Sequence, residues 1–320
     1  MRARDDRVVP LDPPAWRRPP WAVLGFAWLT LPATAGAAVP SLMTDARATG
    51  AGRVAAWSVA AIVFGAGVLA LLRPGVAGLA ALRLGSMGLI GWLAAPSLVA
   101  RPPAVGGGLL ALGLLIAGLS WSAPVAEACA QATAAAGERR FALATVPGLG
   151  FVLAPLAAAV AVGGVTVPLF VAAGVFGRGR PLVALLLLPG VAVAYGLGAP
   201  VYRLGRRWLV LVPSGVVVHD PMLFDDTYRL APDEVGAVAL TARGWRARLD
   251  APDVLDATAG VERALWIGLT TGLGAPRSRP GIRRPDGPVR HVFCAPVLRA
   301  EAAAALAAKG YLLGEPIGAP

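Results

Sequence analysis

The sequence predicts a polytopic α-helical membrane domain of about six transmembrane helices, followed by a small C-terminal α+β domain. Three observations predict it. Long apolar runs, nearly free of charge, fill residues 21–200. Short β-branched runs separated by turn residues replace them after residue 200. An alanine-rich helix signal lies close to the end. Across the 320 residues, 57% are apolar and 15% charged, with a mean hydropathy of +0.67. Soluble domains carry about 45–50% apolar and about 25% charged residues. This balance excludes a disordered chain, and two cysteines, Cys129 and Cys294, exclude a disulfide scaffold.

Residues 1–20 are polar and proline-rich and read as a disordered cytoplasmic tail. The first apolar run covers 21–43, the second 54–72, the third 84–100 and the fourth 105–121. The stretch 141–176 contains no charge but is interrupted by Pro147, Pro155 and Pro168. It reads as a lead-in and one kinked span at 150–174, with a double crossing as the alternative. The sixth run covers 182–199. At 1.5 Å per residue, each approaches the ~30 Å hydrocarbon thickness of a bilayer. A small-residue site at Ala33–Ala38 leaves signal cleavage of the first run as another alternative.

Six spans place both termini on one side, and arginine distribution selects it. Termini inside puts Arg2, Arg4, Arg7, Arg17, Arg18, Arg73, Arg83, Arg139, Arg140, Arg203, Arg206 and Arg207 on the cytoplasmic face. Only Arg47, Arg53, Arg101, Arg178 and Arg180 then lie outside. The expected location is the plasma membrane, with both termini cytoplasmic. Trp21, Trp121 and Trp208 fit an interfacial aromatic belt, and Arg83 fits a snorkelling position. The net charge of +11 comes almost wholly from arginine, since Lys309 is the sole lysine. Spread over loops without aromatic interleaving, it points away from nucleic acid.

Residues 201–320 read as the α+β domain. Strand candidates are 208–212 and 216–219, joined by Pro213-Ser214-Gly215, then 222–224, 227–230, 235–240, 265–269 and 289–294. Residues 298–309 (LRAEAAAALAAK) with Gly310 as stop give a helix. The entry 207–220 (RWLVLVPSGVVVHD) and the closing helix at 296–310 resemble the bacterial pleckstrin-homology-like domains found on membrane proteins. The whole chain resembles actinobacterial multi-pass membrane proteins with such a tail. Segment 243–263 departs from that pattern, having no clean alternation. The resemblance implies an interaction or assembly module, not an enzyme or a particular ligand.

Candidate chemistry is sparse. His219 stands near Asp220, Asp225 and Asp226, a set of hard-cation ligand types whose spacing also reads as a turn. His291 and Cys294 fall on opposite faces of a strand. Cys129 has Glu127 nearby but no histidine, and both cysteines read as apolar fillers. Gly85, Gly88 and Gly91, and Gly190, Ala194 and Gly198, form small-residue rows suited to close helix packing or homo-oligomerisation. The spans lack the carboxylate that coupled transport normally uses. The loop 277–290 carries Arg277, Arg279, Arg283, Arg284 and Arg290 against Asp286. Near an anionic inner leaflet, each arginine would contribute about 1 kcal/mol of attraction.

The expected function is a non-catalytic membrane protein whose C-terminal domain serves assembly, partner contact or inner-leaflet contact. The expected partners are the lipid bilayer, anionic inner-leaflet lipid, and a protein partner or second copy. No cofactor or metal is expected. A small-molecule permease or flippase-like protein with a regulatory tail is the alternative.

Overall fold

The computed structural model describes residues 19–34, 50–99, 103–144, 155–156, 187–241, 245, 251–279 and 285–314. Among the described residues, six helices precede the sheets or lead into them: α1 (Pro19–Leu29), α2 (Gly50–Leu72), α3 (Val76–Val99), α4 (Pro103–Ser120), α5 (Ala123–Ala132) and α6 (Leu187–Leu204). Helix α3 is the hub, packing on α2, α4, α5 and α6. The core of this layer gathers Leu24 and Trp28 of α1, Leu79 and Leu82 of α3, Ile116 of α4, and Val125 and Cys129 of α5. Trp28 is fully buried, and its indole N–H donates to the Phe64 carbonyl at 3.1 Å. That bond satisfies the polar edge of a large apolar ring, as a buried tryptophan requires.

Among the described residues, eight strands form two four-stranded sheets. The first is β1 (Arg139–Ala142), β2 (Trp208–Val212), β3 (Gly215–His219) and β4 (Tyr228–Leu230), in that order and antiparallel throughout. The second is built from β5 (Val235–Leu240), β6 (Val254–Ala257), β7 (Leu265–Leu273) and β8 (Val289–Cys294). Its order is β5-β7-β8-β6, with β6 parallel to β8. Helix α7 (Arg299–Ala308) follows, and its alanines and Leu306 close the core. Gly310, at φ +91, ends the helix in the left-handed conformation that an L side chain resists.

The two sheets share one core, in which Phe141, Leu209, Val218 and Leu230 meet Val238, Leu255, Ile267, Val292 and Leu306. Residues just past β1 stitch the sheets together. The Ala144 N–H donates to the Ala295 carbonyl at 2.7 Å, and the Val297 N–H donates to the Ala142 carbonyl at 2.8 Å. A second small cluster stacks Trp245 on Phe293, with ring centroids 4.6 Å apart.

This architecture corrects the predicted fold class. It is not a six-helix membrane domain, and it does not support the multi-pass transmembrane description. Among the described residues, no single helix is long and apolar enough to cross a membrane. Helix α1 has 11 residues, about 16 Å of rise where ~30 Å is needed. The shorter apolar helical stretches are Ala61–Leu72 and Val76–Ile90. Gly107–Ser120 and Ala123–Ala132 reach sufficient length only together, and they are bent by 51° at the break. The physical reason is that an apolar run does not specify what covers it. Here much of the apolar surface of α1, α3 and α5 is covered by neighbouring helices.

Two local expectations also change. Residues 222–223 form a turn rather than a strand, and Phe224 makes only an isolated β-bridge with Ser278. Phe141 and Ala142, expected to open an apolar lead-in, belong to β1 and pair with Leu209 and Trp208. Apart from 155–156, the expected span at 150–174 lies outside the described residues.

Candidate functional site

Where the helical layer meets the first sheet lies a half-open cavity of about 150 Å³. Six pieces of chain supply its wall: Leu79 and Arg83 of α3, Trp121 and Ser122 of the α4–α5 turn, Ala126 of α5, residues 142–144, Leu204, Gly205 and Arg207, and Val297. The turn exists because Pro124 sits in the first turn of α5, where a proline lacking N–H is tolerated. Ser122 is the N-cap of α5 but makes no side-chain cap bond. Its hydroxyl instead donates to the Leu119 carbonyl at 2.7 Å. The first turn of α5 therefore opens on the cavity without a side-chain acceptor, at the positive end of the helix dipole.

Arg83 is the feature that sets this cavity apart. The side chain expected to reach an interface is instead buried, with 6% of its surface exposed. Its guanidinium lies 4.9 Å from the centre of the Trp121 ring, a cation–π contact. Nε and Nη1 of Arg83 and Nε1 of Trp121 are buried and have no hydrogen-bond partner. Burial lowers the guanidinium to about 10, so it remains charged at neutral pH. The Cys129 thiol lies close enough to interact with it, but burial pushes that thiol up to about 11. The neighbour is therefore neutral, and Arg83 gains no counter-charge from it. The sequence around Cys129 shows no positive group, because α3 supplies one across the helix interface.

The second arginine on the wall is different. Arg207 pairs with Asp220, with Nη2 and Nε 2.7 and 2.8 Å from Oδ2. Its Nη1 donates to the Ala144 carbonyl at 2.9 Å. Asp220 also accepts the Met222 N–H at 3.1 Å. This pair closes on itself and fastens the turn after β3 to the end of the β1 segment. Glu127 is likewise engaged, accepting the Ala142 N–H at 2.7 Å.

The residues singled out in the sequence fall elsewhere. Asp220 is tied to Arg207, while Asp225 ion-pairs with Arg279 at 3.4 Å. His219 faces Thr227, with Nδ1 3.1 Å from Oγ1. Its titration is lowered by burial first and then by Arg206. His291 accepts the Trp266 indole N–H at 3.2 Å, whereas Cys294 is fully buried with its thiol pushed up to about 12. Among the described residues, no three His, Cys, Asp or Glu side chains converge as a metal set.

Arg277 and Arg279 are held against the β3–β4 connection. The Arg277 carbonyl accepts the Asp225 N–H at 2.9 Å, and the Arg279 N–H donates to the Leu223 carbonyl at 3.0 Å. Arg290 lies in β8, its N–H donating to the Asp253 carbonyl at 2.9 Å. Arg283 and Arg284 lie outside the described residues.

Sequence reasoning missed the pairing of Arg83 with Trp121 in a cavity. One signal was available: Arg83 is the sole charge between Arg73 and Arg101. Comparison with known proteins adds no further assignment. No family model, no curated protein and no solved structure matches the chain.

Proposed function

We propose that this chain is a non-enzymatic interaction protein that holds a small anion in the seam between its helical layer and its two-sheet domain. The observation that carries the reading is Arg83: a buried, charged guanidinium beside open space, without a counter-ion among the described residues. Leaving a cation so buried is costly unless a negative group meets it. An anion in the cavity supplies that group and touches both halves of the fold at once. The resemblance of the C-terminal part to pleckstrin-homology-like domains supports placing protein contact on the sheet domain. Large apolar side chains left exposed on α1 and α2, among them Phe26, Leu29, Ile62 and Leu72, also support a partner-binding role.

The test is thermal unfolding of the full chain in low-chloride buffer, scanned against formate, acetate, phosphate, sulfate and benzoate. The expected outcome is a saturable rise in Tm with at least one anion, absent in Arg83→Met. Folded wild-type protein indifferent to every anion overturns the reading.

A further inference from the structure

The seam cavity also constrains the chemistry of its anion, and this inference rests on the proposal that an anion binds there. Nε and Nη1 of Arg83 and Nε1 of Trp121, on side chains of the cavity wall, are buried donors without a hydrogen-bond partner, and Nη2 of Arg207, held by its ion pair with Asp220, is a fourth. The nearby acceptors are engaged. Asp220 is held by Arg207 and the Met222 N–H, and Glu127 receives the Ala142 N–H. A ligand that completes this site must therefore bring acceptors for these donors.

The charge at the site is a single uncompensated cation. One negative charge balances it. A doubly charged, strongly hydrated phosphate or sulfate would lose more solvation than one guanidinium and one indole return. Apart from Ser122 and the Asp220-paired Arg207, the remaining side chains of the wall are apolar, among them Leu79, Ala126, Leu143, Leu204 and Val297. A cavity of about 150 Å³ is large for a lone oxyanion. An apolar cavity of roughly that volume accommodates benzene.

We infer that the cavity binds a small organic monocarboxylate with an apolar body, its carboxylate toward Arg83 and Trp121 and its body against the Leu79–Leu204 wall. The guanidinium supplies charge-assisted donors that suit a carboxylate. The indole N–H of Trp121 is a further unpartnered donor beside it. Aliphatic acids of the size of butyrate and aromatic acids of the size of benzoate both fall within the available volume.

The experiment uses the full chain in a low-chloride, carboxylate-free buffer, with calorimetric titration and thermal unfolding read in parallel. The probes are sodium butyrate, sodium benzoate, sodium phosphate and sodium sulfate. Butyramide and benzamide serve as uncharged matches in shape. Butyrate or benzoate is expected to bind saturably and raise Tm, while the amides and inorganic anions leave it unchanged. Arg83→Met is expected to begin with a higher Tm, because an unpaired buried charge is gone, and to lose the carboxylate response. Trp121→Phe keeps an aromatic face and removes the donor. It is expected to weaken carboxylate binding about tenfold. Saturable, Arg83-dependent binding of phosphate or sulfate, with both carboxylates inert, overturns the carboxylate inference and leaves the anion seat standing. Amides that bind as well as the acids overturn the inference as well. Failure of every probe on folded wild-type protein overturns both readings.

Discussion

Two buried arginines a short distance apart do opposite things, and the difference lies in their partners. Arg207 and Asp220 have side chains exposed by only 1% and 0%, and each is fastened by further hydrogen bonds. Removing one member strands the other charge, which costs about 3–5 kcal/mol. Asp220→Asn is therefore expected to lower stability by about 3 kcal/mol in urea unfolding. The double change Arg207→Met with Asp220→Leu is expected to recover most of that loss, because no charge remains buried. Full loss in both single and double variants would mean that the backbone bonds to Ala144 and Met222 carry the stability instead. Arg83 has no such partner among the described residues, so its removal is expected to stabilise. The sequence marks both arginines only as charges near the edge of apolar runs. Arg207 is neutralised by a turn 13 residues further along the chain, whereas Arg83 meets the ring of Trp121 from the α4–α5 turn.

At the scale of elements, the β2–β3 hairpin shows how local chemistry sets structure. Gly215 has φ +140, and a Cβ there would fall 2.1 Å from the Leu230 carbonyl oxygen. Backbone conformation and space therefore both demand glycine at this position. Gly215→Ala is expected to cost about 3 kcal/mol in urea unfolding, through strain and the displaced β4 strand. An unchanged midpoint would show that β4 moves freely.

The same hairpin was legible in the sequence. Its alternation and turn residues are local, and so are the uninterrupted run of β8 and the alanine content of α7. Two strands were not legible. The segment Arg139–Ala142 begins with two arginines, and it becomes β1 only because β2 offers an unpaired edge. Val254–Ala257 is four residues in a segment without alternation, and its parallel partner β8 lies across β7 in sequence. Residues 222–224 have strand-like composition, but Asp220 accepts the Met222 N–H and turns the chain. The long apolar helices were legible from apolar content, whereas α5 (Ala123–Ala132), which carries Glu127 and Gln131, was not. The environment of the long helices was not, because packing against α3 and insertion in lipid favour the same residue types.

On the scale of the whole molecule, the order of the chain and the order of the fold differ. The sheet domain takes its first edge strand from residues 139–142, before α6, and the rest from residue 208 onward. A boundary at the end of the apolar region therefore removes part of the domain's core. Phe141 is 1% exposed and Leu143 is 5% exposed, and both pack among the strands of that core. Replacing a buried phenylalanine alone costs about 3–5 kcal/mol, and losing the strand adds the exposed edge of β2. The isolated fragment 203–320 is accordingly expected to lack a cooperative unfolding transition and to aggregate. Adding the peptide 137–144 in trans is expected to restore near-ultraviolet circular dichroism, through the β1–β2 register of Phe141 opposite Leu209. A peptide carrying Phe141→Ala should restore it only weakly. A fragment that folds fully without the peptide would mean that the two sheets close without β1. The seam would then be a contact between two independently stable bodies. If the peptide is required, the cavity wall formed by residues 142–144 is part of the sheet domain itself. An anion bound at Arg83 then acts directly on the strand that the domain needs to fold.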